Sequence, residues 1–262
     1  MKKTFTLMRA RDRDRRHLLR GAVAAAGSAL LAGCDRLSRN ASFTGTLQSA
    51  EHLNRTIAKV VAPRPAMAQE FGEHDVAQTF RGNGTLSPSD DDYVALRDGN
   101  FADYRLRVGG LVARPVELTL AQLRELPSRT QITRHDCVEG WSCIGKWQGA
   151  RLGPLLQKVG LKPEARFLVF HCADTMEPGA KYYESIDLVD AFHPQTILAY
   201  EMNGVSLPVA HGAPLRLRVE RQLGYKMAKY VMRIEAVESF ARIERGRGGY
   251  WEDRGYEWYA GI

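Results

Sequence analysis

The sequence predicts a mixed α+β fold over residues 76–262. Strand-like runs alternate with short helical segments and a hairpin, which is the order of elements expected of that fold class. The Gly-x-Gly-x-x-Gly fingerprint of dinucleotide-binding folds does not occur in the sequence, which argues against that class. A segment of this length can bury a single hydrophobic core.

Local signals place several elements in chain order. Acidic residues at 90–92 indicate the start of a helix, because carboxylates favour the positive end of the helix dipole. Thr119 and Gln122 form a capping box for a short helix that Pro127 closes. An Asn-Gly turn at 203–204 indicates a hairpin. The remaining predictions are strands over 104–108, 130–137 and 166–172, and a helix over 152–159.

Most of the positive charge of the chain lies at its N-terminus. The formal net charge is +7, but residues 1–34 hold eight Lys and Arg against two Asp, and the remaining chain has 29 basic and 28 acidic residues. Because the remainder is almost neutral, the composition does not indicate a nucleic-acid partner.

Residues 1–34 are interpreted as a signal peptide. The apolar run at 21–32 is shorter than the roughly 20 residues that span a bilayer. Arg15-Arg16 resembles the twin-arginine signal that exports folded proteins to the periplasm. An ordinary secretory leader is the alternative.

Leu31-Ala32-Gly33-Cys34 resembles a lipobox, so we expect a lipid anchor on Cys34, with cleavage by the ordinary signal peptidase as the alternative. Residues 35–75 then form a tether that could hold a helix over 47–61.

Cys137 follows the predicted strand at 130–137 and precedes a loop that contains Gly140. Reactive side chains are often carried on such loops, and a thiolate is a suitable ligand for a soft metal. A small buried hydrophobic residue is the alternative reading of a free cysteine.

The residues around Cys137 extend this reading. Cys-Val-Glu-Gly-Trp-Ser at 137–142, followed by Trp147 and Gly149, resembles the molybdenum-ligating segment of the sulfite oxidase family of molybdopterin enzymes. It is most similar to the branch that contains a periplasmic methionine sulfoxide reductase catalytic subunit. The resemblance implies the mixed α+β molybdopterin-binding domain of that family, with Cys137 as catalytic residue and metal ligand.

Residues 211–229 form a second informative stretch, because they offer groups that bind phosphate. The pterin cofactor ends in a phosphate. Arginine, lysine and backbone N–H groups freed at Gly-containing turns are such groups. Arg216 and Arg218 could instead be the solvated face of a strand. The resemblance places six residues of this stretch on the pterin or its phosphate: His211, Arg216, Lys226, Met227, Ala228 and Lys229.

Two further cofactor contacts follow from the resemblance. A Gly-rich turn at 80–85 carries Arg81 and Asn83, and in the family such a loop contacts the pterin. Its alternative reading is a plain turn that uses glycine for positive φ. The strand at 166–172 ends in His171 and Cys172, and the resemblance places its end near the pterin. Packing of both side chains in the core is the alternative.

Two other features of the sequence allow more than one interpretation. His135, Cys137, Cys143, His171 and Cys172 could form a zinc site, although their spacing matches no ordinary zinc motif. The aromatic-rich tail at 249–259 could form a wall of the substrate site, but docking on the core is favoured because free rings would expose apolar surface.

The resemblance implies a molybdenum-molybdopterin enzyme that transfers an oxygen atom. Val-Glu-Gly-Trp follows Cys137 where sulfite-oxidising members carry anion-receiving residues, so we expect reduction of an S-oxide or N-oxide. Arg134, Lys146 or Lys181 could supply positive charge for an oxyanion such as sulfite instead. Because no Cys-x-x-Cys-His haem motif occurs, we expect electrons from a separate cytochrome or membrane subunit. A lipid-anchored binding module without redox chemistry is the alternative.

Overall fold

The computed structural model describes residues 40, 42, 43, 45 and 64–262. The predicted signal peptide, the lipobox with Cys34 and the helix over 47–61 lie outside these residues. Residues 64–262 form one compact unit. Within the described part of the chain, no helix has the length and apolar character needed to cross a membrane.

This unit is built mainly from strands. The strands are β1 (Arg105–Gly110), β2 (Val116–Thr119), β3 (Ser128–Asp136), β4 (Ser142–Arg151), β5 (Phe167–Glu177), β6 (Ala180–Asp187), β7 (Ile197–Met202), β8 (Val205–Ser206), β9 (Arg216–Arg218) and β10 (Val231–Val237). The helices are α1 (Asp91–Asp98), α2 (Leu120–Arg124), α3 (Leu152–Val159) and α4 (Leu188–Ala191), with 3-10 turns at Glu73–Asp75, Val209–His211, Gly224–Lys226 and Glu252–Arg254.

The strands form two sheets. The first has the order β2-β1-β10-β5-β6, in which β1 and β10 are parallel and the other pairs are antiparallel. The second has the order β3-β4-β7-β8, with β9 also paired to β7, and is antiparallel throughout. Mixed sheets with short helices confirm the predicted α+β class.

Several local predictions are confirmed by hydrogen bonds and dihedral angles. The Thr119 hydroxyl accepts from the Gln122 backbone N–H at 3.1 Å, and the Gln122 side chain accepts from the Thr119 N–H at 2.9 Å. The Asp90 carboxylate accepts from the Tyr93 backbone N–H at 3.1 Å and so caps α1. Asn203 and Gly204 have φ of 51° and 80°, as the β7–β8 hairpin requires.

Strands β2, β4, β6 and β10 were not predicted. The sequence of β4 contains Gly145 and Gly149, which weaken a strand signal. A Cβ at Gly149 would lie 2.3 Å from the Leu198 carbonyl oxygen, so glycine permits the close approach of β7. Contact with the neighbouring strands, rather than a signal in its own sequence, thus decides β4.

The compact unit begins before residue 76, where the sequence placed the end of the tether. Arg64 donates to both carboxylate oxygens of Asp187 at 2.6 Å, and the Phe71 N–H donates to the Ile132 carbonyl at 2.9 Å. Residues 64–75 are therefore packed on the domain, because partners far along the chain satisfy their polar groups.

The main hydrophobic core is formed by residues of both sheets and of α3. Leu106, Leu155, Phe170 and Ile234 are fully buried in it. A smaller cluster around Phe80 and Trp147 lies on the second sheet. The pocket described next is bounded by the ends of strands from both sheets.

Candidate active site

Cys137 lies in a tight turn at the end of β3. Its N–H donates to the Trp141 carbonyl at 2.9 Å, and the Gly140 N–H donates to the Cys137 carbonyl at 3.0 Å. Gly140 has a φ of 83°, which this turn needs. The side chain is 7% exposed, and the Asn83 amide lies 3.5 Å from its sulfur. The turn and the amide together fix the position of the thiol.

The thiol faces a cavity of about 170 Å³. Residues from seven separate parts of the chain line this pocket, which we call the thiol pocket. They are Asn83, Gly84, Thr85, Cys137, Val138, Glu139, Asp174, Met176, Tyr182, Arg216, Gly224, Tyr225, Met227, Lys229, Trp251 and Tyr256. Five of the residues that the sequence proposed for the site therefore meet here: Asn83, Cys137, Arg216, Met227 and Lys229.

Arg216 is an inner wall of the pocket and is only 4% exposed. Its guanidinium donates to the backbone carbonyls of His211 at 2.9 Å and Met227 at 3.4 Å, while its Nε has no hydrogen-bond partner within the described chain. Its alternative reading as part of a solvated strand face is wrong, because both Arg216 and Arg218 are buried in β9.

Lys229 supplies a second buried cation. Its ammonium donates to the carbonyls of Asn83 at 2.8 Å and Ala210 at 3.3 Å, and also to that of Thr85. Through these bonds Lys229 holds the loop that carries Asn83 against the pocket.

Two buried cations, Arg216 and Lys229, line the pocket together with the carboxyl groups of Glu139 and Asp174. Burial, with Arg218 nearby, lowers the pKa of Arg216 to about 9, and burial together with Arg216 lowers the pKa of Lys229 to about 7. Burial and these same two cations lower the pKa of His211 to about 4. Arg216 and Lys229 donate only to backbone carbonyls among the described residues, and since buried cations usually face anions, they offer a place for an anionic ligand.

The backbone of the turn Gly224–Lys226 closes one side of the pocket. A Cβ at Gly224 would lie 2.5 Å from the ring of His135, so only glycine allows this turn to pack directly on the imidazole. His135 is held by Arg218, whose guanidinium lies 3.1 Å from Nδ1. Burial and Arg218 lower the pKa of His135 well below its ordinary value.

The other proposed cofactor contacts lie outside the pocket lining. Lys226 is fully buried, and its ammonium is bonded to the carboxylates of Glu184 and Glu252. Cys172 and Ala228 pack in the main core, and burial raises the pKa of the Cys172 thiol well above its ordinary value. His211 packs edge-on against Phe80, with ring centroids 5.5 Å apart.

The zinc alternative finds no support in this arrangement. Among residues 64–262 and the few described before them, no three His, Cys, Asp or Glu side chains are placed to hold a metal ion. His171 is instead bonded to Glu235 at 3.0 Å. Cys137, Cys143 and Cys172 are free thiols.

Sequence reasoning missed two polar or aromatic residues of the pocket, Asp174 and Tyr182. Asp174 is 3% exposed, and its Oδ1 has no hydrogen-bond partner within the described chain. Burial raises the pKa of this carboxyl group to about 6. A carboxylate that directly continues the apolar run at 167–173 was the available signal. Tyr182 lies on β6, a strand that the sequence did not reveal.

The aromatic tail both docks on the core and walls the pocket. Tyr250 is buried in the core, whereas Trp251 and Tyr256 stack at a centroid distance of 5.2 Å and line the pocket. Both readings of the tail therefore hold, for different residues of it.

The residues present fit a molybdopterin. Its phosphate is an anion for which Arg216 and Lys229 offer buried positive charge without a paired carboxylate among the described residues. Its dithiolene-bound metal is soft, and Cys137 offers the matching thiolate. The unpartnered Arg216 Nε and Asp174 Oδ1 are polar atoms that a heterocyclic ligand with donors and acceptors can satisfy.

Comparisons with known proteins define the class. Residues 94–242 match the family model of the oxidoreductase molybdopterin binding domain. The chain therefore belongs to the molybdopterin-binding oxidoreductases of the sulfite oxidase family, and its cofactor is molybdopterin. Within that family it lies on the branch of the protein-methionine-sulfoxide reductases.

Two relatives support the assignment to the branch of the protein-methionine-sulfoxide reductases. The putative protein-methionine-sulfoxide reductase subunit YedZ1 of Azospira oryzae is 36% identical over 94% of this chain and 87% of its own length. The protein-methionine-sulfoxide reductase catalytic subunit MsrP of Ralstonia nicotianae is 32% identical over 87% of this chain and 69% of its own length. A solved structure, the sulfane dehydrogenase SoxCD of Paracoccus pantotrophus, aligns with 53% of this chain and 39% of its own, with 26% identity and a TM-score of 0.48.

Proposed function

We propose that this molybdenum-dependent oxidoreductase reduces S-oxides, methionine sulfoxide in particular, with Cys137 as the protein ligand of the metal. One observation carries the ligand assignment: Cys137 shares a pocket with Arg216 and Lys229, two buried cations that suit the cofactor phosphate. The names of the two relatives, both methionine sulfoxide reductases or subunits of one, support the substrate.

Surface charge supports a neutral substrate over sulfite. The three basic residues that could have received an oxyanion are each paired with a carboxylate, Lys146 with Glu73, Arg134 with Asp136 and Lys181 with Asp90. None of these three cations lines the thiol pocket. Glu139 also lines the pocket, and its carboxylate lies 3.8 Å from the Arg81 guanidinium, so the described residues place no unpaired cation at the mouth to receive an anion.

The proposed reaction breaks the S–O bond of the substrate. Two electrons and two protons convert the S-oxide to a sulfide and water, and the electrons come from a separate cytochrome or membrane subunit. The bound cofactor supplies the two-electron oxygen-atom transfer. The protein orients the thiolate through the Asn83 amide, holds the phosphate with Arg216 and Lys229, and admits the substrate past Val138 and Tyr256.

The proposal includes the location of the protein in the cell. The twin-arginine-like Arg15-Arg16 and the lipobox with Cys34 indicate a folded protein that is carried to the periplasm and anchored there by lipid. Fractionation of cells that express the full chain tests this location, and labelling with a fatty acid tests the anchor. A mutant with Lys at both arginines should accumulate in the cytoplasm; unchanged export would refute the twin-arginine route.

The chemical test uses protein expressed with its leader in a host supplied with molybdate. We expect close to one molybdenum and one pterin per chain, and turnover of methionine sulfoxide with a reduced dye as electron donor. Cys137→Ser should have no detectable turnover while it still folds, and Cys143→Ser, the matched control outside the pocket, should stay active. Turnover by Cys137→Ser would refute the ligand assignment.

Two other outcomes would change the proposed function. Turnover of sulfite with little activity on S-oxides would favour sulfite oxidation by the same centre. Cofactor-loaded protein that turns over neither substrate would favour the lipid-anchored binding module.

A further inference from the structure

The C-terminal tail contributes a part of the pocket that the family match does not cover. The matched residues end at 242, whereas Trp251 and Tyr256 lie beyond them and line the thiol pocket. Tyr256 is 40% exposed and Val138 44%, so both stand at the mouth. Cys137, Arg216 and Asp174 are nearly inaccessible and lie deeper. The pocket therefore has a charged interior and an aromatic mouth.

The rings at the mouth form one connected group. Trp251 and Tyr256 are stacked with an interplanar angle of 27°, and Tyr225 meets Tyr256 edge-on at a centroid distance of 5.2 Å. The Tyr225 hydroxyl donates to the Glu257 carbonyl at 2.6 Å. The Tyr182 hydroxyl donates to the Tyr225 carbonyl. Tyr182, Tyr225, Trp251 and Tyr256 are named the aromatic wall.

A buried ion cluster fixes the tail in this place. The Lys226 ammonium is bonded to Glu184 of β6 and to Glu252, the residue after Trp251. All three side chains are almost completely buried. Lys226 belongs to the same turn as Tyr225, so the cluster joins the three chain segments that carry the aromatic wall. Lys226 is thus a positioning residue of the wall.

We propose that the aromatic wall is the specificity determinant of the pocket and receives the apolar substituents of an S-oxide, such as the methyl and methylene groups on the sulfur of a methionine sulfoxide side chain. This inference rests on the proposed function. The methyl and methylene groups attached to a sulfoxide sulfur are apolar, and aromatic rings offer large apolar surfaces for them to contact. A small anion such as sulfite offers nothing for these rings to contact, and Glu139 stands beside them at the mouth.

The test compares substrates on the cofactor-loaded enzyme. Trp251→Ala and Tyr256→Ala should each raise KM for N-acetylmethionine sulfoxide methyl amide about 3- to 10-fold. We expect kcat to change little, and KM for trimethylamine N-oxide to change less, because its three methyl groups offer the rings less apolar surface than the methionine sulfoxide side chain does. The ratio of the two kcat/KM values is the readout, because a general loss of folded enzyme lowers both equally.

Phe240→Ala is the matched control. Phe240 stacks on Trp258 at a centroid distance of 5.8 Å, so it supports the same tail from outside the pocket. We expect its kcat/KM ratio to equal that of the wild type. Molybdenum and pterin content should be unchanged in all three variants.

Three results would overturn the proposal. An unchanged ratio in both wall variants would show that the rings do not select the substrate. Loss of pterin from these variants would mean that the wall belongs to the cofactor site. An equal shift in Phe240→Ala would mean that tail stability alone matters. Failure of the proposed function is distinguishable, because the wild type would then turn over no S-oxide.

Discussion

Arg216 and Arg218 place their guanidinium groups over the same Trp147 ring, at 5.0 and 4.3 Å from its centroid. Arg218 is paired with Glu220 at 2.5 Å, whereas Arg216 has no carboxylate partner within the described chain. Two like residues on one strand therefore have opposite tasks. Arg218 is a neutralised structural cation, and Arg216 keeps its charge for the pocket.

Substitution of the two arginines should separate these tasks. Arg216→Met should strongly reduce molybdenum and pterin content, because it removes half of the anion-binding charge. The same change should leave cofactor-free protein at least as stable, since an unpaired buried charge is lost. Arg218→Met should lower the free energy of unfolding by about 3–5 kcal/mol, because Glu220 becomes a buried unpaired anion. Metal analysis and urea unfolding measure the two effects, and equal behaviour of both variants would contradict the division.

The lowered pKa of Lys229, about 7, predicts a pH-dependent anion site in cofactor-free protein. Below pH 7 the ammonium is charged and adds to the field of Arg216; above pH 7 it loses its proton in the folded state. We expect sulfate to bind about tenfold more weakly at pH 8 than at pH 6, because one charged donor is lost. Calorimetric titration measures this, and sulfate suits it because sulfate itself does not titrate in this range.

Lys229→Met provides the control for that experiment. Its sulfate affinity should be low at both pH values, with little dependence on pH. A wild-type affinity that does not change between pH 6 and pH 8 would contradict the assignment of Lys229.

Asp174 predicts a pH effect on the stability of the folded protein. Its folded pKa, about 6, is raised above the ordinary 3.8 by burial. The folded state therefore holds this proton more tightly than the unfolded state, and stability falls as the pH rises from about 4 to 6. The cost at pH 7 is on the order of 2–3 kcal/mol. Asp174→Asn should remove this part of the pH dependence, as urea unfolding of cofactor-free protein at pH 4 and pH 7 would show.

Lys226 should stabilise the folded protein whether or not the cofactor is bound. Lys226→Met leaves Glu184 and Glu252 facing each other in a buried site, and we expect a loss of about 3–5 kcal/mol in the free energy of unfolding. The loss should also appear without cofactor, which a purely phosphate-binding lysine would not show. Lys158→Met, an exposed lysine at the end of α3, should change stability little. Thermal unfolding of both variants compares them.

Local patterns predicted a considerable part of the fold. The capping box at Thr119, the Asn203-Gly204 hairpin and the bounds of α3 follow from interactions within a few residues, so short sequence windows contain them. Strand β10 was not predicted, because its pairing partners lie on β1 and β5, outside such windows. Strand β6 was also missed, although it forms a hairpin with the preceding strand β5.

The candidate site, like the fold, could be predicted from the sequence only in part. The Cys137 segment and the basic stretch that contains Arg216 and Lys229 were visible as sequence, and the structure brings them to one pocket. Sequence could not tell which of two neighbouring lysines faces that pocket. Lys226 and Lys229 are three residues apart, yet one is enclosed by two carboxylates and the other opens on the cavity.

The sequence by itself determined the family, the cofactor class and the cysteine at the end of β3, because these depend on residue types at fixed spacing. The tertiary structure alone decided which charges stay unpaired and which rings reach the mouth. Neutralisation is a matter of distance in space, and the carboxylates concerned, Glu184, Glu220 and Glu252, come from three separate parts of the chain. The placement of Asp174 and of the aromatic wall has the same origin.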